Sequence, residues 1–103
     1  MKTIYYIDQF TDEDRLRIRF TQHKNRILKF TIQYESLIDG YWHKIWRADK
    51  SHRSTPHIHR FHLHKKQFQV ELDQKDIGRL FNELKRYIRK NYKKIRDNYL
   101  ISK

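Results

Sequence analysis

The sequence predicts an α+β fold: an antiparallel meander of about five strands with one long C-terminal amphipathic helix packed on one face. Three observations predict it. Segments between Glu13 and Leu72 alternate apolar and polar residues at period two. Asp39-Gly40, two residues that tolerate positive φ, separates two of these segments as a tight hairpin turn. Beyond Asp73 the period becomes helical, with Ile77, Leu80, Phe81, Leu84, Ile88 and Ile95 in one stripe and Tyr92 beside it. A chain of 103 residues makes one domain, with strands over about 14–72 and the helix over about 74–98.

Each element has its own signature. In the segment from Glu13 to His23, Leu16, Ile18 and Phe20 point one way and Arg15, Arg17 and Arg19 the other. His23-Lys24-Asn25-Arg26 reads as a turn, and Leu28, Phe30, Ile32 and Tyr34 define a second strand with Tyr34 facing the core. A third strand runs from Tyr41 to Asp49, and period two places Trp42 and Trp46 on one face. Both are expected in the core; on the open face they would instead form an aromatic patch for RNA bases or a second subunit. Lys50 to Pro56 reads as a loop, His57 to His64 as a fourth strand, Lys65-Lys66 as a turn and Gln67 to Leu72 as a fifth strand burying Phe68, Val70 and Leu72. A short extra strand is possible at Thr3 to Ile7. Asp73 is the expected N-cap, with Asp76 completing a weak capping box.

Composition narrows the function. There is no Cys, which excludes disulfides, thiolate zinc sites and a cysteine nucleophile. No apolar run approaches the ~18 residues of a membrane span, and Met1 to Phe10 lacks the apolar core of a signal peptide, so a soluble cytoplasmic protein is expected. No Gly-rich phosphate loop and no His-Glu-x-x-His helix occurs. The formal net charge is +12, and it is uneven: residues 1–40 hold 7 basic and 6 acidic residues, residues 41–103 hold 17 and 6. So basic a small domain is expected to meet a polyanion, with RNA favoured and an acidic, antitoxin-like protein as the other partner.

Two basic stripes suit that role. Arg15, Arg17 and Arg19 line the open face of the sheet; Lys85, Arg86, Arg89, Lys90, Lys93, Lys94 and Arg96 line the outer face of the helix. Between His43 and His64 lie six of the seven histidines. Among them His57 and His59 share a face at the start of the fourth strand, Arg47 and Asp49 share one at the end of the third, and His52 sits in the loop between. An antiparallel hairpin brings these strand ends together, so the five residues are expected to converge on one pocket.

Three roles fit this cluster. It could cleave RNA without a cofactor, one imidazole taking the 2′-hydroxyl proton, another protonating the leaving oxygen and Arg47 holding the phosphate. Asp49 would favour the charged form of one imidazole, making it the acid and leaving the other as base. Alternatively His57, His59 and Asp49 could bind a divalent metal. Or the histidines only brace the hairpin.

Two blocks carry a resemblance: Gln33-Tyr34-Glu35-Ser36-Leu37-Ile38-Asp39-Gly40-Tyr41-Trp42, and Arg47-Ala48-Asp49 followed by His52 and Pro56-His57-Ile58-His59. Together they resemble a family of small uncharacterised prokaryotic proteins with a strand meander and a closing helix. The second block is also distantly similar to TumE-type toxins of toxin–antitoxin pairs, which share an Arg-Tyr-Asp strand end followed by a close His pair. Here Ala48 replaces the central aromatic. The likeness to the small family draws attention to Arg47, Asp49, His57 and His59, and the charge, the cluster and the distant toxin resemblance together lead to the expectation of a small RNA-directed toxin, an endoribonuclease. The reading that competes with it is a non-enzymatic nucleic-acid-binding module, with a homodimer as an open alternative for the assembly.

Overall fold

A computed structural model describes residues 1–51, 54–62, 65–71 and 76–101, and the side chains of these outside 62–71. Strands β1 (Lys2–Thr11), β2 (Asp14–His23), β3 (Arg26–Ile38), β4 (Tyr41–Lys50), β5 (His57–His62) and β6 (Lys65–Glu71) precede one helix, α1 (Ile77–Ile101). All six strands form a single antiparallel sheet in chain order. This is the α+β meander with a closing helix. Its first strand is far longer than the short one expected, spanning ten residues along β2. The full length of β1 was illegible because Tyr5, Tyr6 and Ile7 interrupt the alternation, being exposed on an edge strand with little core to cover.

The turns follow local chemistry. Lys24 and Asn25 both adopt positive φ in the β2–β3 turn, and Asp39 and Gly40 do so between β3 and β4, the geometry that matches the right-handed strand twist. The expected Lys65-Lys66 turn is a correction: both residues lie in β6, with Lys65 paired to His62. The buried positions expected at Phe68, Val70 and Leu72 fall on side chains outside the described residues.

Helix α1 begins three residues later than expected and ends three later. Its cap is Asp76, whose Oδ1 accepts the Arg79 N–H at 3.0 Å while its carbonyl accepts the Leu80 N–H. Asp73 lies outside the described residues. The apolar stripe packs on one sheet face: Phe81 meets Phe20 and Phe30, and Tyr92 meets Tyr34 and Phe10. Leu16, Ile18, Ile32, Ala48, Leu84 and Ile88 complete this core. The other sheet face is uncovered by the helix. No helix among the described residues is long and apolar enough to cross a membrane.

One irregularity in β4 decides which residues reach the open face. Leu37 pairs with Trp42 and Glu35 with Lys44, but Tyr34 pairs with Trp46, so Ile45 is an extra residue, a β-bulge. The bulge reverses the alternation between the two tryptophans. Trp46 is 1% exposed beneath Tyr87, whereas Trp42 is 37% exposed on the opposite face. The expectation that they share a face is therefore corrected.

A second buried feature went unread in the sequence. The Asp14 carboxylate accepts hydrogen bonds from Tyr34 Oη (2.6 Å), Ser36 Oγ (2.9 Å) and Thr11 Oγ1 (2.7 Å). Burial alone would raise its pKa, but these bonds and the nearby Arg96 charge outweigh it and hold the carboxyl below its ordinary value. Arg96 therefore belongs to the inner side of α1, not to its outer basic face.

Candidate nucleic-acid interface and histidine cluster

The register builds the open face in rows across the strands. One row carries Arg17, Gln33, Arg47 and His59; the next carries Arg19, Thr31, Asp49 and His57. Side chains facing each other across antiparallel strands have Cβ atoms ~4.5–5.5 Å apart, so each row is a continuous polar ridge. Arg47 and Asp49 alternate outward because Ala48 between them fills the core.

At the centre stands Asp49. Its Oδ2 accepts the Arg47 Nε–H at 3.1 Å and lies 3.1 Å from His59 Nε2. The His57 ring is 6.2 Å from the His59 ring, and Phe61 stacks on the other side of His59 at 6.4 Å. The structure thus brings Arg47, Asp49, His57 and His59 together, while His52 lies outside the described residues. A cleft of about 380 Å³ opens beside Arg47 and Asp49, lined also by Arg19, Lys29, Thr31, Lys50 and Ser51. The histidines do not line this cleft; they lie next to it along the sheet.

The electrostatics revise one expectation. His59 is 8% exposed. Burial depresses its pKa; Asp49 pulls the other way, while the Arg47 and His57 charges add to the depression, and the balance stays below the ordinary imidazole value. The imidazole paired with Asp49 is therefore neutral near pH 7, suited to accept a proton. The expectation that Asp49 would make its partner the acid is corrected. In the neutral ring the Nε2–H donates to Asp49, and Nδ1 is the basic nitrogen.

A family model matches residues 1–103, described as a domain of unknown function (DUF7718). The chain belongs to this family. No curated protein and no solved structure matches it.

In this DUF7718 chain the basic stripes are partly committed to the fold. Arg15 donates to Glu35 at 2.8 Å and stacks 3.7 Å over the Trp42 ring. Arg17 donates to Tyr5 Oη at 3.1 Å. Arg19 is exposed and lines the cleft. On α1, Arg89 pairs with Asp8, and Lys85 lies 4.6 Å over the Phe81 ring and near Tyr6. Arg86, Lys90, Lys93 and Lys94 are exposed. The two basic surfaces therefore lie on opposite sides of the molecule, separated by sheet and core. Among the described residues no three His, Asp or Glu side chains are grouped to hold a metal ion.

Sequence reasoning missed Lys29, Thr31 and Lys50, which join the cluster only through the register of β3 on β4. Counting back from the Asp39-Gly40 turn without the bulge would set Asp49 against Phe30 rather than Thr31. It also missed Phe61 as the ring that stacks on His59, although the spacing of two residues on one strand was a usable signal.

Proposed function

We propose that this chain is an RNA-directed, toxin-like endoribonuclease acting on the open sheet face. The observation that carries the reading is the single Asp49 carboxylate oxygen that engages both the Arg47 guanidinium and the His59 imidazole, with His57 alongside on a basic surface. His59, neutral near pH 7, accepts the proton of a ribose 2′-hydroxyl. The 2′-oxygen attacks the adjacent phosphorus, the bond to the 5′-oxygen breaks, and His57 protonates the departing oxygen. The products are a 2′,3′-cyclic phosphate and a 5′-hydroxyl. Arg47, with Arg19 and the lysines of the cleft, offsets the charge gathering on the phosphate.

A binding module without catalysis is the second reading, favoured by the stacked Arg15–Trp42 and Arg17–Tyr5 pairs, which offer rings and cations but no proton transfer. Induced expression in cells, joined to cleavage of a 5′-labelled single-stranded RNA, separates the two. The nuclease reading expects growth arrest and cyclic-phosphate ends with the wild type, and loss of both with His57→Ala or His59→Ala while RNA binding persists. Binding with no cleavage by the wild type establishes the module instead.

A further inference from the structure

A second concavity lies on the helix side of the sheet and encloses about 320 Å³ between β4, β5 and the C-terminal half of α1. Trp46 and Tyr87 supply aromatic walls, Phe61 borders the pocket at the sheet, Arg60 and Lys94 bring two cations, and Asn98 adds a carboxamide. Trp46 is 1% exposed, and its indole N–H is buried with no hydrogen-bond acceptor among the described residues. Buried donors are almost always satisfied, so an orphan on a side chain that lines a pocket demands an explanation. The cleavage chemistry above uses none of these groups except Phe61, which backs His59 from the other side.

We infer that this pocket binds a nucleotide, a planar base carrying a phosphate. Each feature asks for one part of that ligand. The unpaired indole N–H needs an acceptor; it lies behind the pocket surface, so a base carbonyl or ring nitrogen reaches it once the neighbouring side chains shift aside. The aromatic walls suit a flat ring whose face stacks or whose edge meets a ring. Arg60 and Lys94, two cations on different elements at one mouth, suit a phosphate. Asn98 can both donate and accept, as a base edge requires. The volume lies at the lower end for small-molecule sites, the size of a mononucleotide rather than of an extended cofactor. An apolar ligand would leave the cations unused, and a bare anion would leave the rings unused.

The chain has only two tryptophans, so Trp42→Phe leaves Trp46 as the single indole reporter. Titrating that variant with AMP, GMP, CMP and UMP, and with the nucleosides and inorganic phosphate alone, tests the site by fluorescence. At least one nucleotide is expected to give a saturable change, tighter than its nucleoside and tighter than phosphate. Arg60→Gln and Lys94→Gln, both at exposed positions, should each weaken it about three- to tenfold. Trp46→Phe, followed by calorimetry, should weaken it by a similar factor while a thermal melt reports whether the core survives. No saturable change from any of the four up to about 5 mM, or affinity unmoved by both charge substitutions, overturns the proposal. The titration involves no cleavage, so it stands or falls separately from the nuclease reading.

Discussion

Replacing Asp49 by Asn tests the cluster most directly. The substitution keeps the side-chain shape but removes the negative charge held 3.1 Å from both Arg47 Nε and His59 Nε2. Two consequences follow from the geometry. The charge of Asp49 currently raises the His59 pKa against the depression from burial, Arg47 and His57. Without it the imidazole titrates lower still, so the acid limb of the pH–rate profile should move to lower pH. The amide can also present its NH2 to the ring, which misorients the base. A mispositioned general base costs ~10²–10⁴ in rate. RNA affinity should hold or rise, because one negative charge leaves a basic surface. Single-turnover cleavage across pH, paired with fluorescence anisotropy of the same RNA, separates rate from affinity. If rate and affinity fall by the same factor, or if the acid limb moves upward, the assignment of His59 as an Asp49-held base is wrong.

Three further outcomes follow from the structure. Trp46→Ala should cost ~3–5 kcal/mol, a large part of the ~5–15 kcal/mol available to a small domain, whereas Trp42→Ala should cost only ~1 kcal/mol, chiefly its stacking with Arg15; urea melts with equal midpoint shifts would refute the bulge placement. Stability should fall on acidification in two stages. His59 binds its proton less tightly folded than unfolded, so the loss begins as pH drops through ~6.5 and stops growing once the folded group is charged. Asp14, held low, contributes stability above ~3.9 that is lost as pH falls through its depressed folded value. A melting temperature that is flat between pH 7.5 and 5.5 in the wild type, or that falls equally in His59→Ala, contradicts the first stage. For RNA, contacts to ~4 phosphates should give a slope of log K on log salt near −3; the triple change Arg19→Gln, Lys29→Gln, Lys50→Gln should flatten it by about 2, and Lys90→Gln, Lys93→Gln, Lys94→Gln should not. The reverse ranking would move the interface to the helix.

Where side chains alternate against a core, the sequence was a sufficient guide. Leu16, Ile18, Ile32 and Tyr34 repeat at period two because one face of the sheet excludes water, and the stripe from Ile77 to Ile95 repeats at helical spacing for the same reason. Asp39-Gly40 marked its turn because few residues accept positive φ. The co-location of Arg47, Asp49, His57 and His59 was also legible, since it needs only a hairpin between β4 and β5.

By itself, then, the chain's pattern of apolar and polar residues determined the fold class, the core face, the helix and the neighbourhood of the cluster. All of these are short-range consequences of burying one face of each element. Only the tertiary structure decided the rest. The bulge at Ile45 leaves no mark in composition, yet it separates Trp42 from Trp46 and sets Thr31, not Phe30, across from Asp49. The neutrality of His59 depends on how much protein surrounds the ring, and burial outweighs the carboxylate beside it. Arg89 and Arg15 look alike in a list of charges, but Asp8, Glu35 and Trp42 occupy them while Arg19 remains on the surface. Register, desolvation and pairing are sums over residues far apart in the chain, and a single sequence records the contributors without recording which of them meet.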